Sequence, residues 1–399
     1  MSTSFRSIFF TIGPLLALEP ARTTLARMKS PSPQAGFGQR PASVIYRNPR
    51  PHVRSIHAYF PSVVAFDENH LGASVVLGEA FEAPNLHLAY LESRDGGASW
   101  NRRSTITEPS EDFSSSTVGR ISLLADGSLS AIVSRHERRP FDSGLTGGDS
   151  IGMLPMRIEQ HRSTDQGVSW TGPQLVEPPI SDTAFEMCAG FTALADHSLL
   201  WPTSTWPYSG QKVSAEGFRT GAFRSRDGGK TWPEWIETFP NDDRIYWEAK
   251  IIVLPDQRLL SVAWVHDLAA GRDLPNHFVI GSPDGREWSR PQSMDILGQT
   301  LSSVVLPEGR ILSVYRRMDE PGLWATISRL SGTTWTNEEA HPLWRGDMRR
   351  SEGEGIREQF AALKFGAPSV VRIAESKILV AFWCVVDGVS QVTAIPLDC

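Results

Sequence analysis

One eight-residue phrase recurs along the chain and constrains the fold more than any other feature. Its pattern is Ser-x-Asp-x-Gly-x-x-Trp, and three complete copies and two degenerate ones occur: SRDGGASW at 93–100, STDQGVSW at 163–170, SRDGGKTW at 225–232, SPDGREW at 282–288 and SRLSGTTW at 328–335. The Asp can accept backbone N–H groups within a tight turn, the Gly permits a positive φ, and the Trp anchors a hairpin. The repetition predicts a fold built from repeated units.

A second repeat runs out of phase with the first. Each unit has an apolar run, a turn with an acidic residue and another β-rich run, and the turn acids are Asp67, Asp126, Asp196, Asp256, Glu308 and Glu375. Short runs rich in Val, Ile and Leu around a turn predict hairpins of buried strands. Six such hairpins, with the first repeat marking a later hairpin in five of them, predict an all-β, six-bladed β-propeller of four-stranded antiparallel blades.

The two ends of the chain bound this domain. The sixth unit is too short for four strands, so we expect a strand at about 42–47 to complete it and close the ring. The propeller is therefore assigned to residues 41–399. Residues 1–40 are expected to be a disordered extension or a weak signal-like segment, because Gly13 and Pro14 interrupt its apolar run and no clean cleavage motif follows. The compartment stays open, with the cytoplasm slightly favoured over the periplasm or secretion.

The composition argues against several classes of function. The net charge of −6 gives no sign of a surface for nucleic acid. No run reaches the roughly 18 apolar residues that span a bilayer, so no membrane partner is expected. Three scattered cysteines do not suggest a disulfide framework or a zinc site. We expect no cofactor and no metal, although His57, His136 and His266 could converge, and the sequence does not indicate an oligomeric state.

Topology predicts which residues share the mouth of the propeller. The innermost strand of each blade leads to the acidic turn and the next strand returns, so residues eight to ten before the turn and eight to twelve after it should meet at one face. The position eight before the turn carries Tyr59, Val118, Cys188, Glu248, Thr300 and Ala367. Glu248 stands out in this set, because a buried carboxylate is expensive unless it is used or satisfied. We therefore predict that Glu248 is catalytic; a structural ion pair with an arginine is the alternative.

Further polar and aromatic residues are predicted at the same face. The other catalytic candidates are Glu186 and His136, and the substrate-binding candidates are His57, Tyr59, Arg120, Arg135, Trp264, His266 and Arg316. Glu79 and Glu82 are alternative acids for a pair with Glu248. For any single residue, a solvated or structurally paired side chain is an equally good interpretation. Because all of these residues are predicted at the same face, a catalytic or substrate-binding site there is the favoured interpretation.

The turn phrase and the six-unit pattern resemble those of the sialidase superfamily over residues 42–399. The resemblance implies a propeller with a sugar-handling funnel, in a superfamily that also holds other glycosidases, lyases and non-catalytic binders. Sialidases pair a Tyr nucleophile with a Glu and add an Asp and three arginines. Glu248 matches that Glu, but Tyr59 replaces the first arginine, Ala367 aligns with the nucleophile and Trp264 fills a second arginine position. This pattern implies a divergent member that does not hydrolyse ordinary sialosides.

Three functions follow from these residues. The leading interpretation is a glycoside hydrolase for an acidic or deoxy sugar, with Glu248 and Glu186 as the carboxylates, arginines holding a substrate carboxylate and aromatic rings stacking on the sugar. A polysaccharide lyase on uronate-containing glycans is the alternative enzyme, with His136 or His266 and Tyr59 abstracting a proton. A sugar-binding propeller without turnover is the third.

Overall fold

The computed structural model describes residues 38–109, 114–138, 144–145, 152–211, 217–346 and 362–399. The extension expected over residues 1–40 therefore lies almost entirely outside the described residues. No helix within these ranges is long and apolar enough to pass through a lipid bilayer. The described chain is built from β-strands, which form six antiparallel sheets.

The strands are numbered along the chain. The first two are β1 (Gly38–Gln39) and β2 (Ser43–Tyr46). Blade 1 has β3 (His57–Ala65), β4 (Leu71–Gly78), β5 (His87–Ser93) and β6 (Asn101–Thr107). Blade 2 has β7 (Ser114–Leu123), β8 (Leu129–Glu137), β9 (Met156–Ser163) and β10 (Thr171–Val176). Blade 3 has β11 (Ala184–Phe185), β12 (Thr192–Ala193), β13 (Leu199–Trp206), β14 (Thr220–Ser225) and β15 (Glu234–Glu237).

The remaining blades follow the same order. Blade 4 has β16 (Arg244–Val253), β17 (Leu259–Asp267), β18 (Arg272–Gly281) and β19 (Gln292–Ser293). Blade 5 has β20 (Gln299–Val305), β21 (Arg310–Arg317), β22 (Gly322–Ser331) and β23 (Thr334–Trp344), with a 3-10 turn at Pro307–Gly309. Blade 6 has β24 (Phe365–Ala374), β25 (Lys377–Val386) and β26 (Val389–Asp398), and β1 and β2 both pair with β26.

This architecture confirms the predicted six-bladed all-β propeller. Each blade runs from an innermost strand outward in chain order, and the innermost strands of neighbouring blades contact one another around the axis. The predicted closure is also confirmed, because β2 pairs with β26 at Ser43 and Ala394. The Arg40 guanidinium adds an ion pair with Asp398, at 2.6 Å between Nε and Oδ2. The first strands of the chain thus supply the outer part of the last blade.

The repeated turn lies at the end of blades 1 to 5 opposite the mouth. In the copy at 225–232, Asp227 Oδ1 accepts the N–H groups of Lys230 and Thr231 at 2.9 and 3.0 Å, and Gly229 has a φ of 77°. Burial acts against ionisation, but these bonds and the Thr231 hydroxyl lower the pKa of Asp227 to about 2. In the copy that lacks the Asp, Asn337 accepts hydrogen bonds from Ser328 and Trp335, both at 2.8 Å.

The inner strands bulge at the mouth. Register shifts between Trp247 and Lys250 in β16, and at the matching points of β3, β20 and β24, place two residues of the inner strand opposite one residue of its partner, and the bulge starts at the first of the two. These first residues have left-handed backbone: Phe60 (φ 47°), Glu248 (φ 54°), Thr300 (φ 52°) and Ala367 (φ 48°). In blade 1 the alignment by turn distance is therefore wrong by one residue, because Phe60, and not Tyr59, holds the position of Glu248.

Candidate functional site

Two glutamates meet where blades 3 and 4 line the mouth. Glu186 follows β11 directly, and Glu248 occupies the bulge of β16. The backbone N–H of Glu248 donates to Glu186 Oε2 at 3.0 Å, and both side chains are half-buried. Glu186 and Glu248 are called the carboxylate pair below. The sequence spacing predicted that both residues lie at this end of the fold, but it did not predict that they contact each other.

The two carboxyl groups differ in their tendency to ionise. Burial raises the pKa of Glu186 to about 8, and the negative charge of Glu248 adds to the rise. The hydrogen bond from the Glu248 N–H acts in the opposite direction and is smaller. Glu186 therefore keeps its proton at neutral pH beside a carboxylate. Environments that push two carboxyl pKa values apart are the usual arrangement for a general acid and its partner.

Three cationic side chains surround the carboxylate pair: Arg120 from blade 2, Lys250 from blade 4 and Arg316 from blade 5. The charge of Glu248 acts on all three. Burial lowers the pKa of each, and that of Lys250 reaches about 8, so the ammonium is still protonated at neutral pH. With Glu186 protonated, three cations face two carboxylates, those of Glu248 and Asp273, whose charges both act on Arg316. The inner funnel is therefore positively charged.

Lys250 is the member of this group that the sequence analysis missed. It follows Glu248 by two residues, and burial alternates along β16 between half-buried residues 248, 250 and 252 and buried residues 249 and 251. This alternation puts Lys250 on the same axial face as Glu248. Its ammonium makes no hydrogen bond to another of the described residues. Lys250 lies six residues before its acidic turn, as Arg120 does, and both are cations within an apolar inner strand. This shared position could have predicted Lys250 as a site residue.

The two arginines are held by the protein itself. Arg120 donates from Nε to the Met187 carbonyl at 2.9 Å and from Nη1 to the Pro61 carbonyl at 2.6 Å. It thereby connects blades 1, 2 and 3 around the axis. Arg316 donates from Nε and Nη2 to Gln299 Oε1 at 3.0 and 2.9 Å. Both side chains are buried, so each guanidinium presents a fixed charge to the funnel.

Aromatic residues line the mouth beside the carboxylate pair. The Trp247 ring stacks on Trp206 at 5.3 Å and meets Trp264 edge-on at 4.8 Å. His266 lies against the other part of Trp247, with ring centroids 5.1 Å apart. Trp264 and His266 are half-buried. The structure thus brings these two predicted residues together in one wall of blade 4.

His57 and Tyr59 lie in a second aromatic group, between blades 1 and 6. Tyr59 is 4% exposed and meets Trp383 edge-on at 5.3 Å, and its ring lies 6.2 Å from that of His57. His57 Nδ1 accepts the Ser390 N–H at 3.0 Å. Burial lowers the pKa of His57 and raises that of Tyr59, so both stay neutral at neutral pH. Phe60 and His57 are the half-buried residues of β3 in this group.

Arg135 and His136 lie elsewhere in blade 2. Arg135 Nε donates to Glu159 Oε2 at 3.0 Å, in a cavity of about 410 Å³ that β6 of blade 1 also lines. His136 is 3% exposed, and burial lowers its pKa to about 4. Neighbours in a strand point to opposite faces, so these residues face the spaces between blades, and no contact with the carboxylate pair is recorded for either.

The other acidic candidates, Glu82 and Glu79, and the Cys188 thiol have different surroundings. Glu82 Oε2 accepts the Leu145 N–H at 3.1 Å, and Glu79 is exposed. Burial and the neighbouring carboxylates raise the pKa of the Cys188 thiol well above its usual value. Within the ranges that the structure covers, no three His, Cys, Asp or Glu residues are grouped as a metal site would require.

Comparison with known proteins extends these observations at the level of the fold. No family model matches the chain, and no curated protein matches it by sequence. A Dyadobacter fermentans protein of unknown function is similar in structure, with a TM-score of 0.68, 19% identity and coverage of 91% of this chain and 99% of that one. Penicillium chrysogenum α-L-arabinanase, solved with arabinobiose, has a TM-score of 0.61 and 14% identity, with 90% and 98% covered.

A sialidase is also among the similar structures. Trypanosoma rangeli sialidase in complex with sialic acid has a TM-score of 0.59 and 15% identity. The match covers 90% of this chain and 59% of that one, so the chain corresponds to less than two thirds of the sialidase. Identities this low establish similarity of fold alone. The chain therefore has a sialidase-like six-bladed propeller fold.

Proposed function

We propose that the protein is a glycoside hydrolase that acts on an acidic or deoxy sugar, with the carboxylate pair as its catalytic groups. One observation carries this proposal: the Glu248 N–H donates to Glu186 Oε2 at 3.0 Å, in surroundings where burial and the charge of Glu248 raise the pKa of Glu186 to about 8. Glycoside hydrolysis commonly needs this combination, a carboxylic acid and a carboxylate on the two sides of the scissile bond.

The chemistry assigns a role to each carboxyl group. Glu186 donates its proton to the oxygen of the departing sugar as the bond to the anomeric carbon breaks. Glu248 stabilises the positive charge that develops on the ring, either as a nucleophile or by activating water. Water supplies the hydroxyl that replaces the leaving group. If Glu248 is the nucleophile, the water that breaks its bond to the sugar gives its other proton to Glu186; if Glu248 activates water, Glu248 takes that proton and exchange with solvent restores Glu186.

The charge of the funnel supports an anionic substrate. Lys250, Arg120 and Arg316 outnumber the carboxylates of Glu248 and Asp273, and the Lys250 ammonium has donors free for a ligand. Trp264 offers an aromatic face of the kind on which sugars stack. The similar sialidase and arabinanase folds were solved with sugars, which agrees with a carbohydrate ligand. Tyr59 and Ala367, where sialidases resemble one another in arginine and tyrosine, speak against ordinary sialosides.

The test is turnover of uronate-containing, deoxy-sugar and sialic acid glycosides by the native protein, followed by the substitutions Glu186→Gln and Glu248→Gln. Each should lower kcat by on the order of 10²-fold or more, because a positioned acid–base group is lost. Glu177→Gln is the matched control, since Glu177 is exposed beyond the outermost strand of blade 2. Undiminished turnover in both funnel variants would make the carboxylate pair structural.

The products separate this proposal from its alternatives. Hydrolysis yields two saturated sugars, whereas elimination from a uronate leaves a carbon–carbon double bond that absorbs in the ultraviolet. Saturable binding of an acidic glycan without any product, in native protein and variants alike, would instead identify a sugar-binding propeller.

A further inference from the structure

A continuous chain of hydrogen bonds crosses the mouth from blade 4 to blade 5. His266 Nδ1 lies 2.8 Å from Asp273 Oδ1, and Gln299 Nε2 donates to Asp273 Oδ2 at 2.8 Å. Gln299 Oε1 in turn accepts two N–H groups from Arg316, at 2.9 and 3.0 Å. Asp273 is the second residue of β18, and Gln299 is the first residue of β20. The chain therefore joins a half-buried imidazole at the rim to a buried guanidinium whose charge acts on Glu248.

The donor and the acceptor of each hydrogen bond in this series can be assigned by starting from Arg316. A guanidinium can only donate, so the amide oxygen of Gln299 faces Arg316 and its NH₂ group faces Asp273. An ionised carboxylate can only accept, so Asp273 takes one hydrogen bond from Gln299 and one from His266. His266 must consequently carry its proton on Nδ1 when the ring is neutral. Its Nε2 atom is then a free acceptor.

The ring of His266 lies between Asp273 and the innermost strand of blade 4. Asp273 lies on β18, outside β17, and holds the Nδ1 edge of the ring. The rest of the imidazole extends over Trp247 on β16, the innermost strand, next to Glu248. No hydrogen bond joins Nε2 to another of the described residues. The imidazole therefore presents an unpaired proton acceptor next to Trp247, the residue before Glu248.

We propose that Asp273 is a positioning residue that holds His266 in its Nδ1–H tautomer, and that His266 Nε2 accepts a proton from water at the mouth as the oxygen of that water bonds to the anomeric carbon, the proton then returning to Glu186. Gln299 completes the arrangement because it occupies the second oxygen of Asp273 and thereby fixes the rotation of that carboxylate. Arg316, in addition to its charge, fixes Gln299. The role in turnover rests on the proposed hydrolysis, whereas the tautomer does not.

The substitution Asp273→Asn tests the tautomer directly. Gln299 still donates, so the new amide oxygen must turn toward Gln299 and its NH₂ group toward His266. Nδ1 then has to accept, and the proton moves to Nε2. ¹⁵N–¹H correlation spectra of labelled histidine, recorded at a pH where the ring is neutral, distinguish the two tautomers. We expect Nδ1–H in the native protein and Nε2–H in the variant, with His266 identified by its absence in His266→Gln.

Activity provides the second readout. Asp273→Asn should lower kcat/KM by on the order of 10²-fold or more, as expected for a base held in the wrong tautomer, with little change in Tm. Asp319→Asn is the matched control, because Asp319 pairs with Arg317 on the rim of blade 5 and has no recorded contact with His266. The control should leave both the tautomer and kcat/KM unchanged.

The outcomes are distinct. An Nε2–H tautomer in the native protein, or an unchanged tautomer in Asp273→Asn, would overturn the positioning role of Asp273. A switched tautomer with undiminished kcat/KM would overturn the proton transfer by His266. If Glu186→Gln and Glu248→Gln stayed fully active while the tautomer still switched, the proposed hydrolysis would fail and the positioning of His266 would stand.

Discussion

Substitution of Glu186 by glutamine should stabilise the fold at neutral pH, although it removes a proposed catalytic group. Burial and the charge of Glu248 raise the pKa of Glu186 from 4.5 to about 8. Between these values the folded protein holds a proton that the unfolded chain releases, so the free energy of unfolding falls as the pH rises. One pH unit corresponds to about 1.4 kcal/mol, and the cost at pH 7 is on the order of 3 kcal/mol.

Glutamine removes this cost because it cannot ionise. Its side-chain oxygen can still accept the hydrogen bond from the Glu248 N–H, so the backbone contact is preserved. Thermal unfolding of the native protein and Glu186→Gln, followed from about pH 5 to about pH 8, should give curves that diverge as the pH rises. The curve of thermal stability against pH for Glu177→Gln should run parallel to that of the native protein. Parallel curves for Glu186→Gln as well would refute the raised pKa of Glu186.

Three further predictions concern the scaffold and the charge of the funnel. Asp227→Ala should lower the free energy of unfolding by roughly 1–3 kcal/mol through lost hydrogen bonds, with kcat unchanged, because its turn lies opposite the mouth. Deletion through residue 46 should lower the Tm of the whole protein, because β26 would lose both of its outer partners; an unchanged Tm would contradict this. Lys250→Gln should raise KM or Kd for an acidic sugar more than for a neutral one, and equal changes would exclude a role in recognising charge.

The sequence predicted the architecture because turn chemistry and strand spacing are local properties. A Ser-x-Asp-x-Gly-x-x-Trp phrase makes its own hydrogen bonds, so its repetition marks blades without knowledge of their packing. The short sixth unit likewise required a strand from elsewhere in the chain. The number of blades and the closure through β2 both follow from these features.

The site depends on packing between blades, which spacing alone describes poorly. Glu186 and Glu248 lie 62 residues apart in sequence, and their hydrogen bond exists only because blades 3 and 4 are neighbours. Arg135 was assigned to the mouth by its distance from the turn, yet its side chain points between blades 1 and 2. In the same way, Asp273 and Gln299 carry no local signal, because their partners lie on other strands.

The measurement that tests the central claim most directly is the mass of the products formed in water enriched in ¹⁸O. Native protein incubated with an acidic-sugar glycoside should release a reducing sugar that carries one heavy oxygen at the anomeric carbon, because hydrolysis adds water there. In Glu248→Gln the rate of release of this sugar should be lower by on the order of 10²-fold or more. Products without heavy oxygen, or the same rate of labelling in the native protein and in Glu248→Gln, would contradict hydrolysis by the carboxylate pair.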